Sequence, residues 1–337
     1  MKRALRFLAR RFAWALVLVL GVTSLSFVLV QVLPGDPTRM LLGPQASAAD
    51  VKRARALYGL DRPVSVQFVK YWAHLIHTGP PPAPGDTEHR SCAAFLPGVH
   101  LDLGYSFYYR KPVVTLLLAK IPRSFELAVA ALIIQLTLGV SLGIAAAAKR
   151  GTAWDDAAMS ASLLGASAPT FLLGLLLQYV FAYKLGLLPF DGYGTTGADH
   201  LRSLVLPALT LGLFGSALYA RLTREEVASA LAQDFARAAR ARGASATRVL
   251  VVHALRNALA PLTTMAALDL GTMVSGAVVT ERIFRWPGVG QLAVDAVLNR
   301  DGPVIFGTVL FSAAAVVVAT FTLDIVDVLL DPRLRSR

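Results

Sequence analysis

Residues 221–257 read RLTREEVASALAQDFARAARARGASATRVLVVHALRN, and this polar stretch lies between two apolar runs, Ser203–Ala220 and Pro261–Thr280. A chain that is membrane-embedded on both sides of such a segment must leave the bilayer for it and return. Leu222, Val227, Leu231, Phe235 and Ala238/Ala239 recur at helical spacing, while Arg224, Arg237, Arg240 and Arg242 fall on other faces. Gly243 reads as a helix stop, and Ser245 can cap a second helix running to about Pro261. Two short helices meeting at a glycine, with an apolar stripe that no membrane covers, suit docking to a partner protein. A solvated hairpin and a basic amphipathic helix lying on lipid fit the same composition.

The rest of the chain is apolar. Of its 337 residues 55% are hydrophobic and only 16% charged, which excludes an ordinary soluble domain. Six stretches match the roughly 20 apolar residues needed to cross a bilayer core. They are Phe12–Leu33, Leu127–Ala148, Ala157–Tyr183, Ser203–Ala220, Pro261–Thr280 and Val304–Leu323. The expected fold is an all-α polytopic membrane protein with six transmembrane helices and a large first external loop.

The formal charge of +12 would suit nucleic acid if it were spread over one face, but its distribution follows the spans. With a cytosolic N-terminus, the short inside segments carry 17 Lys and Arg and the short outside segments only 5. That positive-inside bias places both termini in the cytosol. Anionic inner-leaflet lipid accounts for the basic excess, and no nucleic-acid partner is expected. The first span begins like a signal peptide, yet its apolar run is long and is followed by LPGDP at 33–37, so it reads as a retained anchor.

Residues 34–123 make a loop too long for a connector. Asp50–Leu60 reads as a helix capped by Asp50 and stopped at Gly59, and Val64–His77 as a second helix opened by Pro63. The proline-rich run from Thr78 to Gly85 reads as extended and exposed. Further on, Gly139-Val-Ser-Leu-Gly143 offers a small-residue face for close helix approach, and Pro169 interrupts the third span beside a cavity.

Few residues promise chemistry. Asp269 sits mid-span, where an unpaired carboxylate costs several kcal/mol, so it faces protein or a wet cavity. It reads equally as a residue of a translocation path that meets a substrate cation and as a structural partner of a neighbouring subunit. Glu126 and Glu281 fall at outer helix ends within reach of water. His74 and His77 lie three apart on one helix face without a third ligand, and Cys92 is the single cysteine, so no metal site is expected. No GxSxG and no GxxxxGK[ST] occurs, so neither serine-nucleophile chemistry nor ATP hydrolysis by a phosphate loop belongs to this chain. An ion-coupled secondary transporter is the competing reading, with Asp269 as its only mid-membrane acid.

Arg237-Ala238-Ala239, then three residues and Gly243, resembles the EAA loop of bacterial ABC-importer permeases. DFARAARARGAS with HALRNALAP is similar to the dipeptide/oligopeptide/nickel branch, in which Arg237 replaces the glutamate of other families. LPGDP, YGLDRPVSVQF, LDLGYSF, IPRSFELA, the ERIFRWPGVG run from Glu281 to Gly290 and the closing DIVDVLLDPR look like further landmarks of that branch. The segment near 78–99 departs from them as an insertion. The resemblance implies a type I permease fold in three parts: the N-terminus and first span (1–33), an external lip (34–123), and a five-helix core (124–337) holding a cytosolic coupling loop (221–258). It further implies a bacterial inner-membrane location, a second homologous permease subunit, two cytosolic ATPase subunits carrying ATP and Mg, and an external substrate-binding protein that delivers peptides. In this resemblance Phe235, Arg237, Ala238, Ala239, Arg240, Gly243 and Ser245 form the ATPase-coupling site: Arg237 and Arg240 meet the ATPase groove, Ala238/Ala239 permit close approach, and Gly243 makes the turn.

Overall fold

The computed structural model describes residues 2–32, 38, 42–43, 45–57, 60–78, 91–96 and 99–330. In chain order these form α1 (Lys2–Val32), α2 (Ala48–Leu57), α3 (Val64–Leu75), β1 (Ile76–Thr78), β2 (Cys92–Leu96), β3 (Val99–Asp102), α4 (Val113–Ala148), α5 (Ala153–Ser167) and α6 (Thr170–Leu177). Then follow α7 (Gly197–Ala232), α8 (Asp234–Ala241), α9 (Ala246–Val274), α10 (Val278–Ile283), α11 (Val289–Leu298) and α12 (Gly302–Leu330). A wide π turn, Gln178–Lys184, extends α6, and another, Val249–Ala254, lies inside α9.

Among the described residues four helices are long and apolar enough to cross a membrane: α4, α7, α9 and the Gly302–Leu323 part of α12. The pair α5 and α6 with its π extension makes a fifth, broken by a 96° bend. Ala168 and Pro169 are both extended there, because the proline ring excludes helical backbone in the residue before it. The first expected span lies in α1, whose apolar part runs Ala13–Val28.

Several boundaries differ from the sequence reading. α7 runs past Ala220 to Ala232. The hairpin's second helix and the fifth span are one helix, α9, with Pro261 inside it; the expected stop at Pro261 does not occur. In the lip, Ser47 rather than Asp50 caps α2: its hydroxyl accepts the Asp50 N–H at 3.2 Å and donates to the Asp50 carboxylate at 2.6 Å. The second lip helix stops at Leu75, and His77 belongs to β1, so His74 and His77 do not share a helix face. The lip also contains a three-stranded antiparallel sheet, ordered β1-β3-β2, with His77 opposite His100 and Cys92 opposite Asp102. The expected insertion thus supplies β2, an edge strand paired with β3, which in turn pairs with β1. Gly59, LPGDP, residues 79–90 and the tail beyond Leu330 lie outside the described residues.

The chain divides into two units, Met1–Arg123 with Gly288–Ala314, and Ser124–Pro287 with Ala315–Arg337. In the first, Leu75, Leu103, Val113 and Leu117 bury against Leu292 and Val304. Gly307 lets α12 close on Val113. Buried Asp301 accepts the Ser106 hydroxyl and the Phe107 and Tyr108 N–H groups, which fixes the turn after β3.

In the second unit the expected small-residue face of α4 meets α7. A Cβ added at Gly139 would lie 2.5 Å from Tyr219 Cβ, and one at Gly143 would lie 2.5 Å from the Ala220 carbonyl oxygen. Backbone therefore touches backbone, a close approach that any side chain would prevent. The run from Glu281 to Gly290 turns inward, with Arg285 at φ +48 letting Phe284 and Trp286 both bury. Glu281 is 0% exposed and accepts the Ser124 hydroxyl at 2.8 Å, so water does not reach it as its helix-end position had implied. Glu126 pairs with His200 and accepts the Tyr193 hydroxyl at 3.2 Å.

Candidate functional site

The stretch 221–257 folds as a hairpin in which the apolar stripe closes on itself. At Gln233 the backbone turns extended (ψ 160°), ending α7 and starting α8, where the sequence pattern had run one helix through to Gly243. The break turns α8 back so that Ala236 and Ala239 bury against Val249, with Leu231, Phe235 and Ala244 packed around them. Val227, Ala230 and Tyr219 continue this packing into Ala254, Ala258 and Leu262 of α9.

Gly243 closes α8. It sits at φ +83, its N–H donates to the Arg240 carbonyl at 2.9 Å, and the Ala244 N–H donates to the Ala239 carbonyl at 3.1 Å. This pair is a Schellman motif, with glycine where the left-handed residue is required. Ser245 then accepts the Arg248 N–H at 3.4 Å and opens α9, as its sequence position implied.

The arginines divide by role. Arg240 donates to the Leu231 carbonyl at 3.3 Å, covering the exposed end of α7, and Arg242 donates to the Ala238 carbonyl at 3.3 Å. Arg237 is exposed beside Asp234, 3.7 Å away. Of the seven hairpin residues singled out, Arg237, Ala238, Arg240, Gly243 and Ser245 are exposed, Phe235 is half-buried and Ala239 is buried. The two alanines thus point opposite ways: Ala239 holds the hairpin together, and Ala238 leaves a flat spot between arginines.

Asp269 lies apart from the hairpin on α9, half-buried. Its carboxylate accepts the Tyr219 hydroxyl at 2.9 Å, and Tyr219 is 0% exposed. Among the described residues no basic side chain reaches it, so one of its oxygens has no side-chain donor.

Sequence reasoning missed Asp155. Its oxygens take Arg224 Nε at 2.5 Å and Nη2 at 2.6 Å, and the Gly151 N–H at 3.0 Å. An acid at the start of an apolar helix gives no hint of a partner 69 residues away, and Arg224 had read as a mere surface charge.

Residues 139–336 match the model of the binding-protein-dependent transport system inner membrane component family, and residues 4–128 match its N-terminal companion. The chain belongs to this family. As an ABC-importer permease it is a membrane component of a transport system, which sets aside the ion-coupled secondary transporter. The di/tripeptide transport system permease protein of Pseudomonas aeruginosa is 36% identical, over 99% of both chains. The glutathione transport system permease protein of Salmonella paratyphi A is 34% identical, over 99% of this chain and 100% of that one. A solved structure of the MetNI methionine ABC transporter in an inward-facing conformation shares the permease fold. It has a TM-score of 0.54 and 17% identity, and the match covers 65% of this chain and 98% of that chain.

Proposed function

We propose that the permease forms, with a second homologous permease subunit, the path by which an ATP-driven importer moves peptides into a bacterial cell. In this reading both termini and the hairpin at 221–258 face the cytosol. Two ATPase subunits, which carry ATP and Mg, grip the hairpins, and an external binding protein delivers substrate to the opposite side. The observation that carries the reading is the hairpin itself. Its apolar stripe is consumed internally, leaving Arg237, Ala238 and Arg240 on a surface too polar for lipid tails and braced by its own Schellman turn. A partner groove with acidic rims meets such a surface through charge-assisted hydrogen bonds. Peptide is the favoured cargo because the similar chains named above include a di/tripeptide and a glutathione permease.

Asp269 belongs in this reading to the wall of the path. A mid-membrane carboxylate held by one phenol, with no cation reaching it among the described residues, suits the ammonium group of a passing peptide. Co-expression with the ATPases and second permease, followed by purification and ATP-driven uptake of radiolabelled Ala-Phe into proteoliposomes bearing the binding protein, tests the reading. Recovery of a stable complex with ATP-dependent uptake is expected; uptake by the purified chain alone down an ion gradient would overturn it.

A further inference from the structure

α5 lies along α7 and turns most of its own surface outward. Leu163, Leu164 and Trp154 are exposed, and Asp155 is the one buried side chain among the described residues of α5. At 1% exposure that carboxylate is seated in a two-point fork from Arg224, while its neighbour Asp156 stays in the open. Arg224 stands on α7 just where it leaves the apolar span, in the part that packs with the hairpin as one body through Val227, Leu231 and Phe235. At the other end of α5 the chain is broken by the 96° bend at Pro169. So α5 is set off from α6 by a proline break, and at its other end it joins α7 through a two-point fork as well as by packing.

We propose that Asp155 and Arg224 are positioning residues that make α5 follow the coupling hairpin, so that the first half of the broken third span moves with it while α6 stays behind. The proposal rests on the importer reading above. A single ion contact would pass on only a pull. The planar fork, with the Gly151 N–H as a third point, also fixes rotation. The enclosed carboxylate makes salt screen the pair less than a fully exposed one, although Arg224 itself is 24% exposed. The packing of α5 along α7 adds to this hold, but apolar contacts leave sliding and rotation freer than the fork does.

The test uses the complex with the second permease and ATPases in proteoliposomes, with Cys92→Ala and a nitroxide on Leu164→Cys (α5) or on exposed Ser229→Cys (hairpin side). In the otherwise unaltered complex both labels change mobility when ATP and vanadate are added. With D155N or R224Q the Ser229 label still responds, the Leu164 label falls silent, and Ala-Phe uptake per ATP hydrolysed drops about tenfold. R224K, which keeps the charge and loses the fork, behaves like R224Q, and the exchanged pair D155R/R224D restores the Leu164 response. A Leu164 label that still responds in D155N, or a Ser229 label silenced along with it, reduces the fork to a fold brace and overturns the proposal. A Ser229 label that never responds in the unaltered complex overturns the importer reading and this inference with it.

Discussion

Gly243 offers the sharpest test of the hairpin. Nothing lies within 4 Å of a Cβ built there, so space does not select glycine; its φ of +83 does. Gly243→Ala therefore costs only the left-handed penalty of an L-residue, about 1–2 kcal/mol. Gly243→Asn costs less, because asparagine tolerates this region. Gly243→Pro cannot reach positive φ at all and also removes the N–H that bonds the Arg240 carbonyl. It pushes Arg242, now at φ −83 and ψ 9, out of its present conformation as well. Together these cost about 4 kcal/mol or more. Since about 1.4 kcal/mol is tenfold in population, alanine should lower the docking-competent hairpin about five- to thirtyfold. Proline should lower it about a thousandfold. The assay is recovery of ATPase subunits on the affinity-tagged permease, normalised to permease in the membrane. The expected order is Gly, Asn, Ala, Pro, with membrane insertion constant throughout. Full recovery with Gly243→Pro would refute the argument that this turn shapes the docking surface.

Other perturbations follow from particular contacts. Tyr219→Phe removes the phenol from Asp269 and should lower uptake, with about 1–3 kcal/mol of lost stability on thermal unfolding of the complex. Asp269→Asn should leave the complex assembled and reduce uptake of Ala-Phe; unchanged uptake would remove Asp269 from the path. Gly143→Val drives a branched side chain into the Ala220 carbonyl and should destabilise the chain beyond the usual 1–3 kcal/mol of overpacking, read as lost detergent-resistant permease. Glu281→Ala strands the buried Ser124 hydroxyl and leaves a cavity, and should cost about 2 kcal/mol, whereas Glu281→Gln should be milder. In the Cys92→Ala chain, Thr247→Cys should react with a membrane-impermeant thiol reagent only from the cytosolic side and Thr195→Cys only from the other; the reverse pattern would invert the proposed topology.

The chain's own letters determined the class and the frame. Apolar run length and the punctuation by Gly243 and Pro169 are local signals, each set by the cost of a polar group in lipid or by the permitted φ of one residue. That is why the spans, the hairpin and its glycine stop were legible without coordinates. Tertiary structure decided everything that depends on what a residue meets. Ala238 and Ala239 are indistinguishable in sequence, yet one faces out and the other locks on Val249, because the break at Gln233 resets the helix phase. His77 joined a strand because β3, not its own helix, offered it partners. Asp155 and Asp156 are adjacent and chemically alike; only the passage of α7 beside α5, bringing Arg224 within 2.5 Å, made one of them a buried anchor and left the other to water.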